Sequence, residues 1–450
     1  MLKRLILPIY LPLFLEYAGV SAYLPLLPLI AVRLGFSVPE AAALGLIQGL
    51  CAVLLPIPLA RLLAAMGERR ALLASGALQG VTSLGLGVVV HRALAAGGAD
   101  GAGPADRLAL IAGLLVINMG LVLWHVGRQA YLADALPESI RARGLTTLGG
   151  ALRMGQVVGP FIGAAVIAAG STAGVFFLHT GLMVLATVLV ALTLLPLDDP
   201  PPGPASADAA SADAAAPDSA TPDAAAPGTA APDAAAPAPL RRPTPPLSHR
   251  DAARRRIAVA AGILPVSMSR SNRMIIIPLV ALSLGLGEDH VAIVVGIAAV
   301  VEIALFYPAG LLMDRFGRAA AAVPCSLGLA AGMALMAPLA LGGHATTPQP
   351  WALPALLAAA TVMSLGNGLG SGIQVTLGVD LARPQYRVRD LGRWNSLVGV
   401  GQLAGPGLVT AVTVVAPVGV AAGTMAVLCG AGGAWLARIL PRVTPAPSRR

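Results

Sequence analysis

The chain has 450 residues, of which 56% are hydrophobic and 11% charged, against roughly a quarter charged in an ordinary soluble domain. A soluble core has no room for that much apolar surface, so the solvent is lipid. The net charge of +9 lies in arginines set in short segments between apolar runs, without aromatic interleaving, which argues against a nucleic-acid partner and for membrane topology.

Crossing about 30 Å of hydrocarbon at 1.5 Å per residue takes about 20 largely apolar residues. Twelve runs qualify, at residues 5–30, 40–62, 70–91, 107–131, 145–169, 174–196, 257–284, 290–312, 319–342, 352–379, 393–415 and 418–440. The first follows Lys3 and Arg4 and continues without a small-residue cleavage site, so it is read as a retained spanning helix rather than a secretory peptide. These runs form two six-helix bundles, residues 1–197 and 257–440, joined by residues 198–256 and followed by a tail at 441–450. The joining segment repeats Asp-Ala-Ala-Ala-Pro from Asp213, Asp223 and Asp233. Such a composition buries too little apolar surface to offset ordering entropy, and it is expected to be a disordered tether.

Arginine placement sets the orientation. With the N terminus inside, the outer loops hold Arg33, Arg92 and Arg107, whereas Arg61, Arg69, Arg70, Arg141, Arg143, Arg315, Arg318, Arg387, Arg389 and many others fall inside. Both termini and the tether are therefore expected in the cytoplasm, and the chain in the cell membrane.

The halves repeat one another. A shift of 246 positions carries Asp134 onto Asp380, Arg141 onto Arg387, Arg143 onto Arg389, Gly155 onto Gly401, Gln156 onto Gln402, Gly159 onto Gly405 and Pro160 onto Pro406. Nearer the start of each half the shift is larger, with Gly67 meeting Gly317 at 250 and Pro12 meeting Pro265 at 253. Two bundles of the same sense joined by a long inner loop make a transporter architecture.

After the eighth run the chain reads Gly310, three residues, Asp314-Arg315, Phe316, then Gly317-Arg318. This resembles the inner-loop signature of the major facilitator superfamily, and the likeness covers nearly the whole chain outside the tether and the extreme C terminus. It implies an all-α membrane protein of twelve transmembrane helices in two pseudo-symmetric bundles. In that signature the Gly lets helices approach, while Asp and Arg pair with charges and helix ends of the neighbouring bundle as an inner latch. Asp134, Arg141, Arg143, Asp380, Arg387 and Arg389 are counted with it. The first-half counterpart keeps Gly67, Arg69 and Arg70 but has Ala64 in the place of Asp. In the fifth run Gly155, Gly159, Pro160 and Gly163 resemble the family's antiporter signature, which points toward its drug/proton antiporter branch. The same small residues are equally suited to tight helix packing. The mid-helix Arg of the family's fourth helix is missing, since Arg128 falls near the inner end of that run beside His125.

Four charges are stranded near the midplane. They are Glu16, Arg270, Arg273 and Glu302, each costing at least about 2.5 kcal/mol there. Two readings compete. Permanent ion pairs would hold the halves together. Alternatively a carboxylate, Glu16 or Glu302, binds a proton in one state and pairs with arginine or substrate in another, coupling proton flow to transport. Arg270 and Arg273, three apart on one side of a helix, suit an anionic group. Tyr17, Tyr23, Asn118, His125, Asn367, Gln374 and Asn395 are candidate cavity-lining groups, each also able to serve as an interhelical hydrogen-bonding residue.

The sequence shows no nucleophile elbow, phosphate loop or metal spacing. Cys51, Cys325 and Cys429 lie singly in apolar runs. The expectation is a monomeric, cofactor-free secondary transporter, not an enzyme, whose partners are a small solute, protons and the bilayer. Proton-coupled efflux of an organic or amphipathic solute is weighed first. Uptake of an anionic solute at Arg270 and Arg273, and a non-transporting scaffold or sensor, are the alternatives.

Overall fold

The computed structural model describes residues 5–135, 138–194, 249–342, 345, 347–383 and 386–443. The expected tether up to residue 248, the tail from residue 444 and the side chains of Asp134, Arg141, Arg143 and Arg387 lie outside the described residues.

Twelve spans follow in order, six in each half. The first six are α1 (Ile6–Arg33), α2 (Val38–Leu54 with Pro56–Met66), α3 (Glu68–Ala95), α4 (Pro104–Ala135), α5 (Glu138–Ala168) and α6 (Gly174–Thr193). The second six are α7 (His249–Ser283), α8 (Glu288–Ala304 with Phe306–Phe316), α9 (Ala319–Leu339), α10 (Ala352–Leu381), α11 (Arg387–Thr413) and α12 (Val418–Val443). Among the described residues nine of these spans are long and apolar enough to cross a membrane, and two more are bent pairs. The twelfth, α7, is 35 residues long but less apolar, because Ser267, Ser269, Arg270, Ser271, Asn272 and Arg273 crowd its middle.

Local irregularities follow from proline. In α1, Pro8, Pro12, Pro25 and Pro28 remove backbone donors, and the helix accommodates them with a π turn at Ile6–Tyr10 and a 3-10 turn at Leu24–Leu26. The bends in α2 and α8 are 59° and 40°. They fall at Leu55 and Leu305, which are equivalent in the repeat. Pro58 and Pro308, likewise equivalent, take away the donors that would bond to the carbonyls of Leu54 and Ala304. Each bent helix then ends on a glycine of positive φ, Gly67 at 78° and Gly317 at 86°, a conformation costly for any side chain.

The bends decide where the halves meet. The Val38–Leu54 segment of α2 packs on α11, and the Glu288–Ala304 segment of α8 packs on α5 and α1, all across the halves. Beyond the bends, Pro56–Met66 packs on α3 and α4, and Phe306–Phe316 on α9 and α10, each within its own half. The apolar cores follow the same division. One cluster draws on both halves, from Leu26, Ile30 and Leu86 to Ile276, Val291 and Met333. At the arginine-rich end the clusters are separate, Leu59, Leu63, Ala71 and Leu123 in the first half and Val259, Ile263, Met313 and Trp394 in the second. At the opposite end Arg33 of α1 and Glu288 of α8 pair across the halves at 2.8 Å.

Candidate functional site

Between the halves lies a cavity of about 370 Å³. Its first-half wall comes from α1, α2, α4 and α5 and includes Val20, Tyr23, Gln48, Asn118 and Gln156; its second-half wall comes from α7, α10 and α11 and includes Arg270, Arg273, Gln374 and Gln402. A smaller space of about 60 Å³ adjoins it, sharing Leu24, Gln156, Arg273 and Met274 and adding Arg153, Glu302 and Ser364.

The four stranded charges divide in an unexpected way. Glu302 pairs with Arg273 one helix away on this wall, and the Ser364 hydroxyl donates to the same carboxylate at 3.4 Å. Glu16 does not join them. It pairs inside the first bundle with Arg128, both side chains being 1% exposed, and it lines neither space. Arg128 lies over the Trp124 ring at 4.1 Å, and the Trp124 indole donates to the Leu72 carbonyl at 2.5 Å. Arg128, expected near the inner end of its run, lies deeper in the helix: α4 runs on to Ala135, which leaves Arg128 about two turns from its end and facing the bundle interior. Arg270 is held differently. Its guanidinium donates to the Gly370 carbonyl at 2.9 Å and touches the Cys325 sulfur at 3.7 Å. That carbonyl is available because α10 is interrupted around Gly370–Gly372, where Gly372 has a φ of 80°. Among the described residues Arg270 has no carboxylate partner and its Nε no hydrogen-bond partner.

Of the candidate lining residues, Tyr23, Asn118 and Gln374 face the larger cavity, Gln374 donating to Ser267 at 2.6 Å. The others line neither space. Tyr17 packs against Gly155 of α5, His125 bonds to Gln129 at 3.0 Å, Asn367 is buried within α10 and Asn395 is exposed. Arg153, a further charge inside the fifth apolar run, reaches across the halves to lie over the Phe306 ring at 4.5 Å, immediately past the bend in α8.

The motif glycines divide by role. Added Cβ atoms at Gly155, Gly159 and Gly163 would strike backbone atoms of Phe14, Ala18 and Ala22 in α1. Gly401 and Gly405 meet Leu264 and Met268 of α7 in the same way, so this packing belongs to the repeat; Pro160 lies inside α5 and lines the smaller space. Gly310 is the correction, since a Cβ there would meet nothing within 4 Å.

Among the described residues, Arg69, Asp314, Arg318 and Asp380 of the latch form ion pairs or hydrogen bonds within their own half. Arg318 pairs with Asp380 at 2.7 Å and more loosely with Asp314 at 4.0 Å, and the Asp380 hydrogen bond raises its already high pKa. Asp390 is clasped by Arg256 at 2.5 Å and Arg383 at 2.9 Å. Arg69 donates to the Ala191 and Leu194 carbonyls at the end of α6 at 2.8 and 3.1 Å. Arg70 is exposed, while Arg315 and Arg389 lie over Phe316 and Tyr386. Among the described residues no group of three or more His, Cys, Asp or Glu could hold a metal ion.

A family model described as Major Facilitator Superfamily matches residues 9–261 and again 259–450. No curated protein matches the chain. Among solved structures, an auto inhibited POT family peptide transporter is 11% identical at a TM-score of 0.70, covering 100% of this chain and 98% of that one. A D-xylose-proton symporter is 14% identical at 0.61, covering 99% and 98%. A mutant of the nucleoside transporter NupG is 13% identical at 0.65, covering 96% and 98%.

Proposed function

The chain belongs to the Major Facilitator Superfamily and is a multi-pass membrane transporter rather than an enzyme; from that premise we propose that it couples proton movement to the passage of a small organic solute by alternating access. The observation that carries this reading is the Arg273–Glu302 pair on the wall between the halves. In its ionised form the Glu302 carboxylate pairs with Arg273. Taking up a proton breaks the pair, leaves Arg273 a positive charge seeking an anion, and so ties the proton to whatever occupies the cavity. Glu302 is the titrating group and Glu16, locked to Arg128 away from the cavity, a fixed one.

The arginine-rich end is the cytoplasmic one by the positive-inside bias, in a plasma membrane with both termini inside. The described arrangement, joined at the Arg33–Glu288 end and separate at the other, is then the inward-facing state of a transporter acting as a monomer. Efflux by antiport is the direction favoured by the Gly-Pro element of α5, although the same helix contact recurs in α11. A second reading, uptake of an anionic solute, is favoured by Arg270, which enters the cavity without a carboxylate partner among the described residues.

The test is solute-driven pH change in proteoliposomes. Glu302→Gln should abolish proton movement while leaving solute exchange measurable. Unaltered coupling in that variant sinks the proposal. Reversing the imposed pH gradient separates efflux from uptake.

A further inference from the structure

We infer that the cavity takes an organic anion with an apolar body, its charged end gripped between Arg153 of the first half and Arg270 of the second. The inference deepens the transport reading and rests on it.

Arg153 lines the smaller space, Arg270 the larger and Arg273 both. Glu302 balances Arg273, and Glu16 is committed to Arg128 elsewhere. Two guanidiniums, Arg153 in the smaller space and Arg270 in the larger, therefore face the interior without a carboxylate partner among the described residues. Among the described residues Arg153 has the face of Phe306 beneath it, and Arg270 a carbonyl and a sulfur. Uncompensated charge at membrane depth is costly, and a bound anion offsets it. A cationic solute would add a repulsion, and a neutral one would leave both charges as they are.

The opposite wall sets the rest of the ligand. Val20, Leu24, Leu27, Leu44, Leu114 and Leu121 present hydrocarbon to the same space, so an apolar body gains burial there. A cavity of about 370 Å³ is at the lower end of the range of about 300–1,000 Å³ typical of small-molecule sites. Guanidiniums also offer the planar, paired donors that match a carboxylate. Because the two arginines belong to different halves and line adjoining spaces, an anion seated where the spaces meet bridges them and offsets both charges. Nothing in the repeat duplicates this, since the counterpart of Arg153 at the shift of 246 is Gly399, beside Val53 of α2.

The experiment compares 4-phenylbutyrate, 4-phenylbutanamide, 4-phenylbutylamine and inorganic phosphate as ligands of the purified full chain, by thermal shift and equilibrium binding. The carboxylate should bind at least tenfold more tightly than the amide, the amine or phosphate. Arg153→Gln and Arg270→Gln should each weaken it at least tenfold, and Arg270→Lys should recover part of the loss. Equal or better binding of the amide or the amine, no binding of the carboxylate, or full affinity in both glutamine variants overturns the inference. Phosphate binding as tightly as phenylbutyrate overturns its apolar half. If a glutamine variant does not fold, the ranking of the four probes on the native chain and the lysine variant decide. Proton flux is read in parallel: a cationic or neutral probe that drives flux leaves the transport reading standing and removes the anion, whereas a bound anion that moves no proton does the reverse.

Discussion

At the scale of single residues, the two buried ion pairs invite opposite treatment. Glu16 and Arg128 are sealed from solvent, with Glu16 Oε1 and Arg128 Nη2 lacking partners among the described residues. Removing one partner strands the other charge, a loss of about 3–5 kcal/mol in buried pairs, whereas replacing both with apolar groups is often near neutral. Glu16→Gln should therefore lower the melting temperature sharply, and Glu16→Leu combined with Arg128→Met should recover most of it; additive loss in the double variant would count against a structural pair. Proton coupling should persist in whichever of these variants folds. Charge in an apolar run is readable from sequence, and Glu16, Arg270, Arg273 and Glu302 stand out on that ground. Their pairing is not readable. Arg128 looks peripheral in the sequence because the apolar run stops a few residues before α4 does, whereas Arg153, inside the fifth apolar run, is legible on the same ground as the other four charges.

Among the elements, the glycines separate two kinds of motif that look alike in sequence. Gly159 lies against the Ala18 carbonyl, the Ser21 side chain and the Ala22 amide, so Gly159→Val should cost about 1–3 kcal/mol by overpacking. Gly405→Val should cost about as much against α7. Gly310→Ala should be neutral or stabilising by about 0.5–1 kcal/mol, since alanine suits a helix interior better and has open space here. Denaturation in detergent measures all three, and a destabilised Gly310→Ala would show that the open space is filled in solution. Loss of transport in a stable Gly310→Ala would instead locate the need for that glycine in the other conformation. The spacing Gly155, Gly159, Gly163 is sufficient to announce a tight contact, because only close helices demand small residues at that period. The bends at Leu55 and Leu305 are legible only as prolines: Pro58 and Pro308 remove donors in equivalent places, but how far each helix turns depends on packing that the chain alone does not display.

For the whole molecule, the repeat produces a frame and the departures from it produce a device. The segment joining the halves should be dispensable to that device, so deletion of residues 205–240 should leave flux unchanged in proteoliposomes; lost flux would favour the scaffold reading. The halves themselves are held at one end by shared apolar surface and by the Arg33–Glu288 pair, whose arginine is half-exposed and whose glutamate is buried. A pair of this kind contributes on the order of 1 kcal/mol, which corresponds to about a fivefold shift between two states if it exists in only one of them. Arg33→Ala should accordingly favour the state open at that end. A cysteine placed at Ser271 on the cavity wall, in a background without Cys51, Cys325 and Cys429, reports this through labelling by an impermeant thiol reagent from outside. Labelling should rise severalfold in Arg33→Ala and return toward the starting level when Arg33→Glu is combined with Glu288→Arg. Unchanged labelling in Arg33→Ala would mean that the apolar cluster alone sets the closed end, leaving the ion pair a passive occupant of the seam.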